Sequence, residues 1–286
     1  MAGRAGSKFS RTRQHEDTRT DWKHGTMGQL EGQVAIITGA GTGIGREAAL
    51  MFADQGAKLV LAGRRIELLN EVVALIGAKG GSAVAKSVDL EDGDAAAALG
   101  TWTIAEFGQV DVLVNNAGHS SHVRSIQYVG PEEWASVFKV NVEGVYRLTQ
   151  SVVGSMIENG GGTVVTTSSY AALHPGLLGG AAYSAAKSAS YNMMRGINAE
   201  LNAKGIRAST ILPAEVDTPI LNNRPHNPDA DARATMMMPE DVAAAILLCA
   251  TLPGRTVIEE IVMSPTQPRD RSIDMEVAAK AGSPDE

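Results

Sequence analysis

The chain has 286 residues, 44% of them apolar, and a formal net charge of −7. Length and apolar share suit one large folded domain and exclude a disordered or collagen-like chain, and the mild acidity argues against a general nucleic-acid binder. No run of about eighteen apolar residues exists, so no membrane span is expected, and the N-terminus lacks the apolar stretch of a secretory signal.

Residues 1–29 read as a polar extension. Arg4, Lys8, Arg11, Arg13, Arg19 and Lys23 stand against Glu16, Asp17 and Asp21. Such a composition predicts disorder, with Met27 as an alternative start. A weak basic arm for a partner is the second reading, and the acidic residues disfavour a transit peptide.

Val34-Ala35-Ile36-Ile37 is apolar at every position, the mark of a strand covered on both faces. It runs into Thr38-Gly39-Ala40-Gly41-Thr42-Gly43-Ile44-Gly45. The strict Gly-x-Gly-x-x-Gly spacing is absent, yet the physics is that of a nucleotide site. Gly39 can turn sharply off the strand, Gly43 lets backbone approach a pyrophosphate, and Gly45 allows close helix packing. A helix from about Ile44 to Gln55 aims its free N–H groups and positive dipole end at the phosphates. The alternative is a tight turn without a ligand.

Lys58-Leu59-Val60-Leu61-Ala62 reads as the second strand and ends in Gly63-Arg64-Arg65, with no carboxylate before Glu67. A carboxylate there would bind a ribose 2′-hydroxyl. Arginine instead offers a fork suited to a phosphate. Arg64 and Arg65 therefore predict NADP(H) as cofactor, with NAD(H) as the alternative and a solvated helix start as the bland reading.

A helix from about Glu67 to Gly80-Gly81, a strand from Ser82 to Val88 and a helix over 92–107 follow. Asp111-Val112-Leu113-Val114 is the fourth strand, ending in Asn115-Asn116-Ala117-Gly118. Pro131 opens a long helix reaching Gly160, as proline favours the first turn. Thr163 to Thr167 is the fifth strand, 181–203 a helix, and Ile206 to Leu212 the sixth strand. Residues 222–234, with Pro225 and Pro228, break all periodicity and read as a loop beyond that strand, either a substrate lid or a surface connection. Pro239-Glu240-Asp241 starts another helix, and Thr256 to Met263 reads as the seventh strand. The single cysteine, Cys249, excludes an internal disulfide and fits a reducing, cytoplasmic setting. It sits in an apolar helical stretch with no basic neighbour in sequence, which predicts packing rather than nucleophilic chemistry.

This alternation predicts a single doubly wound α/β domain over residues 30–265, with a seven-stranded parallel sheet, helices on both faces and a C-terminal tail at 266–286. Ligands of such sheets bind beyond the strand C-termini.

Tyr183 and Lys187, in Tyr-Ser-Ala-Ala-Lys, lie four apart on a predicted helix and share a face. A free phenol titrates near 10, about three units too high for a base at neutral pH. A neighbouring ammonium favours phenolate, so the pair can move an alcohol proton while hydride moves to or from a nicotinamide ring.

Together, the glycine turn and this pair resemble the short-chain dehydrogenase/reductase family, over about residues 30–265. Thr38 to Gly45 is similar to its Thr-Gly-x-x-x-Gly-x-Gly turn, which carries Gly39, Thr42, Gly43, Ile44 and Gly45. Asn115 to Gly118 resembles its Asn-Asn-Ala-Gly, so that Asn116, Ala117 and Gly118 line the cofactor cleft. Asp89-Leu90 resembles the pair at the adenine ring, and Pro213 to Thr218, including Val216, the stretch that closes over the nicotinamide amide. The resemblance implies a Rossmann-type fold, Tyr183 as acid/base, and Lys187 lowering its pKa and holding the nicotinamide ribose. It implies that Asn141, in Lys-Val-Asn-Val, kinks the long helix and carries a proton relay, and that the protein is a homotetramer or homodimer.

A serine should polarise the substrate oxygen. The usual spacing of thirteen falls on Tyr170, with Ser169 and Ser168 one and two positions earlier. Alignment of Ser169-Tyr170-Ala171-Ala172 favours Ser169, and Ser168 is the alternative. A second departure is Ala214, where glycine is usual, which puts the local backbone in doubt. The implied activity is NADP(H)-dependent interconversion of a ketone and a secondary alcohol, reduction being favoured by a reduced NADPH pool. The alternatives are an NAD-dependent alcohol dehydrogenase of the same family and a non-catalytic nucleotide sensor on the same fold.

Substrate choice is expected to lie in residues 119–130 and 214–238. His119, His122 and His174 lack metal-ligand spacing and read as solvated or substrate-lining. Met236-Met237-Met238 either lines an adaptable pocket or packs a loop onto the core, and Glu215 and Asp217 either contact substrate or, as the commoner case, face solvent.

Overall fold

The computed structural model describes residues 28–284. The expected disordered extension lies outside the described residues except for Gly28 and Gln29.

The strands are β1 (Val34–Thr38), β2 (Lys58–Gly63), β3 (Ser82–Ser87), β4 (Val112–Asn115), β5 (Gly162–Thr167), β6 (Ile206–Pro213) and β7 (Glu260–Met263). They form one seven-stranded sheet in the order β3-β2-β1-β4-β5-β6-β7, and every pairing is parallel. The helices are α1 (Gly43–Asp54), α2 (Ile66–Ala78), α3 (Gly93–Phe107), α4 (Pro131–Phe138), α5 (Gly144–Glu158), α6 (Ala181–Leu201), α7 (Ala230–Ala234), α8 (Pro239–Thr251) and α9 (Ser272–Lys280).

The unbroken apolar strands reflect two cores. In β1, Ala35 and Ile37 pack on one face with Ala48, Ala49 and Phe52 of α1 and with Val242 and Ile246 of α8. Ile36 points the other way, onto Leu99 of α3 and Leu148 and Val152 of α5. Leu59 and Leu61 of β2 join the first core, and Val60 and Ala62 the second. A polar residue at any of these positions would lack a partner. The strand order reverses between β1 and β4. The crossovers leaving β1 and β4 therefore go to opposite faces, α1 to the first core and α5 to the second, and open a crevice at the strand C-termini.

Two expected elements differ. β7 begins at Glu260 rather than Thr256; its register starts at Thr210↔Glu260, so the preceding residues have no ladder partner on β6. The aperiodic stretch 222–234 carries the end of a 3-10 turn, Pro219–Asn223, and the short α7, whose N-cap Asp229 accepts from Ala232 N at 2.8 Å. Cys249 is buried, as its apolar helix implies. The fold nevertheless brings a basic neighbour, Arg207 of β6, whose charge is outweighed by burial, which pushes the thiol pKa up. Among the described residues no helix is long and apolar enough to cross a membrane.

Candidate active site

The crevice holds two adjoining cavities that share Ile44, Asn116, Gly118 and Ile220 as walls. The first, about 650 Å³, is a groove along the ends of β1, β2 and β4. Gly39 leaves β1 with φ +66°, and Gly43 starts α1 with φ +53°. A Cβ on Gly45 would stand 2.3 Å from Gly39 O and 2.5 Å from Asn116 Nδ2, so the helix can approach the turn only with glycine there. The N-cap Thr42 makes no side-chain cap, and the first turn of α1 carries no acid. The leading N–H groups are thus left for an external anion.

Thr38 ties this turn to the end of β4. Its hydroxyl donates to Val114 O at 3.2 Å and accepts from Asn116 N and Ala117 N, each at 3.0 Å. Asn116 Nδ2 returns a bond to Thr38 O at 3.1 Å. Arg64, Arg65, Val88, Asp89, Leu90, Ala117, Gly118 and Thr218 line the rest of the groove. Arg64 and Arg65 are exposed at its end, and Arg65 caps α2. A glycine-walled turn and an uncapped helix start fit the pyrophosphate of a dinucleotide.

The second cavity, about 760 Å³, lies beyond Gly118 and receives Ser169, Tyr183, Lys187, Pro213 and Val216. Tyr183 is in the first turn of α6, and Lys187 is one turn further on. Lys187 is buried, donates from Nζ to Thr167 O at 2.8 Å, and lies 5.6 Å from the Tyr183 ring centroid. Burial pulls its pKa down to about 8.

Burial also raises the Tyr183 pKa, and this outweighs the hydrogen bond from Ser169 and the charges of Arg124 and Arg224. The Lys187 ammonium, expected to favour the phenolate, donates to Thr167 O one helical turn from Tyr183.

The two serines separate by partner. Ser169 meets the phenol, and its Oγ accepts from Ala171 N at 3.2 Å. Ser168 Oγ donates to Lys187 O at 2.8 Å and is held within the backbone of α6. Asn141 is fully buried in a π-helical segment, Lys139–Glu143, which interrupts the long helix between α4 and α5. Its Nδ2 donates to His119 O at 2.7 Å and Val137 O at 2.8 Å. A Cβ on Gly118 would sit 3.3 Å from Asn141 Oδ1 and 3.4 Å from Lys187 Nζ, so the three residues converge.

Ala214 keeps a regular backbone role, donating to Met263 O at 2.8 Å. Glu215 corrects the solvent-facing expectation: it is buried and paired with Arg224 and Arg269, each at 2.8 Å. Met237 packs into the core and Met238 is exposed; neither lines the second cavity. His174 does line it, stacked on Tyr170 with centroids 4.4 Å apart.

Residues 269–272 and Met275 of the C-terminal segment also form its wall, which sequence reasoning missed. No local pattern announces it. The signal lies in an ion pair between distant positions, Arg269 with Glu215, and a local one, Arg269 with Asp274.

A doubly wound parallel sheet with a glycine-walled groove beside a Tyr–Lys pair defines a nicotinamide-dependent oxidoreductase. The chain belongs to the short-chain dehydrogenase family, whose sequence pattern matches residues 33–229, and it is an oxidoreductase acting on CH–OH groups. Among curated relatives, it is 30% identical over 239 residues to the 3-oxoacyl-(acyl-carrier-protein) reductase of Thermotoga maritima, covering 82% of this chain and 96% of that one. It is 32% identical over 237 residues to the 7α-hydroxysteroid dehydrogenase of Escherichia coli, covering 78% and 89%. Among solved structures, a metagenomic short-chain oxidoreductase in complex with NADP superposes with TM-score 0.73 at 32% identity, covering 84% of this chain and all of that one. A 7α-hydroxysteroid dehydrogenase complexed with NADH and 7-oxo glycochenodeoxycholic acid gives TM-score 0.76 at 30% identity, covering 84% and 96%.

Proposed function

We propose that the protein interconverts a ketone and a secondary alcohol with NADP(H), using Tyr183 as the proton donor and acceptor. The carrying observation is that the Tyr183 phenol and the Ser169 hydroxyl meet in a cavity that shares walls with the dinucleotide groove. A bound nicotinamide supplies or takes the hydride. Ser169 and Tyr183 hold the substrate oxygen, and in reduction the phenol gives its proton to that oxygen as charge develops there. A phenol whose pKa is raised by burial is fully protonated at neutral pH, the state that reduction requires.

Lys187 binds the nicotinamide ribose and donates to Thr167 O, which fixes the ammonium beside Tyr183. Asn141 positions the backbone of His119 and would hold the water through which the proton is relayed onward. Gly39, Thr42, Gly43, Ile44 and Gly45 hold the pyrophosphate, Asp89 and Leu90 the adenine, and Asn116, Ala117 and Gly118 the floor of the cleft. Pro213, Val216 and Thr218 close over the nicotinamide. Arg64 and Arg65 take the 2′-phosphate, supported by their exposure at the groove's end.

A homo-oligomer of two or four chains, packed through α4, α5 and α6, and a cytoplasmic setting belong to the same proposal. The exposed Tyr146 on α5 supports the first, and a single buried thiol the second.

The test is absorbance loss of NADPH and of NADH with a panel of ketones. Turnover with a higher kcat/KM for NADPH is expected. Faster turnover with NADH would overturn the cofactor assignment, and reduction of no ketone and oxidation of no secondary alcohol would overturn the activity.

A further inference from the structure

The second cavity has more positive charge than its neighbours neutralise. Arg124, Lys187, Arg224, Arg269 and Arg271 line it, against Glu215 and Asp270. Most of this charge is accounted for. Arg224 and Arg269 share Glu215, Arg269 also pairs with Asp274 at 2.7 Å, and Lys187 belongs to the nicotinamide end.

Arg124 is different. Its side chain is buried, and among the described residues it forms no ion pair with a carboxylate. Nη1 donates to Gly179 O at 2.7 Å, while Nε is buried without an acceptor. Nη2 likewise has no acceptor among the described residues. Burial and the nearby Arg224 pull its pKa down to about 10, so the guanidinium stays charged at neutral pH. The Tyr183 phenol and Glu133 act on it only through space. Glu133 is already engaged, accepting from the backbone N–H groups of His122 and Val123.

A buried cation without a counter-ion is costly, and proteins rarely retain one. A guanidinium presents a planar fork that matches a carboxylate, and in a desolvated cavity such a pair is strong and directional. The surplus of arginine along the walls also concentrates anions at the mouth.

Resting on the ketone–alcohol activity proposed above, we propose that the substrate carries a carboxylate, held by Arg124 while its carbonyl meets Tyr183 and Ser169. The substrate class is thus an oxo acid or hydroxy acid rather than a neutral ketone. Glu215, with Arg224 and Arg269 across it, forms the far wall.

The experiment uses the full chain with NADPH and a series of probes: 2-oxobutyrate, acetoacetate, 4-oxopentanoate and 5-oxohexanoate, each beside its methyl ester. For at least one chain length the acid should exceed its ester about tenfold or more in kcat/KM, the ordinary worth of a hydrogen bond to a charged group. In Arg124→Met that acid-to-ester ratio should collapse through the KM of the acid, and Arg124→Lys should restore it in part. Esters equal to or better than acids at every chain length would overturn the proposal. A ratio unchanged in Arg124→Met would do the same, and would leave Arg124 the role of holding the 176–180 loop.

Binding provides a readout that needs no turnover: the melting temperature of the NADPH complex with each acid. Stabilisation of the wild type but not of Arg124→Met supports the carboxylate site even if no ketone is reduced. In that case the ketone–alcohol activity fails and the anion site stands. If Arg124→Met does not fold, the acid-to-ester preference of the wild type and the Arg124→Lys variant decide.

Discussion

Replacing Gly45 by alanine isolates the contact on which the dinucleotide groove depends. The new methyl would stand 2.3 Å from Gly39 O and 2.5 Å from Asn116 Nδ2, roughly 1 Å inside ordinary contact at 3.4 Å. Neither neighbour yields easily. Gly39 is held in a left-handed turn at φ +66°, and the Asn116 amide is bonded to Thr38 O and to Thr167 Oγ1. Relief must come from displacing the start of α1, an overpacking cost of about 1–3 kcal/mol. For a chain of this size, that is a fall in Tm of about 2–6 °C.

The same displacement moves the N–H groups aimed at the pyrophosphate. Losing one such charge-assisted bond weakens NADPH about ten- to a hundredfold. Gly77, in the last turn of α2, is the control: a Cβ there meets nothing within 4 Å. Gly77→Ala should gain no more than about 0.5 kcal/mol from helix propensity so near the helix end, and leave NADPH affinity alone. Differential scanning fluorimetry and NADPH fluorescence titration read both effects. A Gly45→Ala protein with wild-type Tm and wild-type NADPH affinity would refute the close approach of α1 to the β1 turn and its role in binding.

Removing both guanidinium groups in Arg64→Ala/Arg65→Ala should reduce the preference for NADPH over NADH by about ten- to a hundredfold, measured as a ratio of dissociation constants. An unchanged ratio would place 2′-phosphate recognition elsewhere. A pH profile tests Lys187, whose burial brings its pKa from 10.5 to about 8. The ammonium form is present below that value and lost above it. Thus kcat/KM for ketone reduction should fall above about pH 8, by about tenfold per unit once well past it. A profile flat to about pH 10 would contradict a requirement for the charged lysine.

Much of this molecule can be read from local patterns, for identifiable reasons. β1 and β2 are apolar at every position because each supplies both cores, so periodicity reveals central strands without any tertiary information. The glycines at 39, 43 and 45 stand where backbone conformation or contact admits nothing else. The interruption at Asn141 follows the family resemblance, and the chain meets it with a π-helical turn, the Asn141 amide bonding one helix carbonyl, Val137 O.

What escaped the sequence depends on pairs far apart along it. Neither partner of Glu215 is a sequence neighbour: Arg224 is nine residues away, across an aperiodic loop, and Arg269 is 54 residues away. Arg207 reaches Cys249 only when β6 packs beneath α8. The choice between Ser168 and Ser169 rested on a one-residue shift in spacing. Side-chain direction separates them, since alternation along extended backbone sends Ser168 to Lys187 O and Ser169 to the phenol.

The central claim, that the Tyr183 phenol transfers the proton, is tested most directly by Tyr183→Phe, which removes one oxygen from the cavity. Turnover with any accepted ketone should fall about a hundred- to ten-thousandfold, with NADPH still bound in a fluorescence titration. Turnover close to that of the wild type would contradict the mechanism.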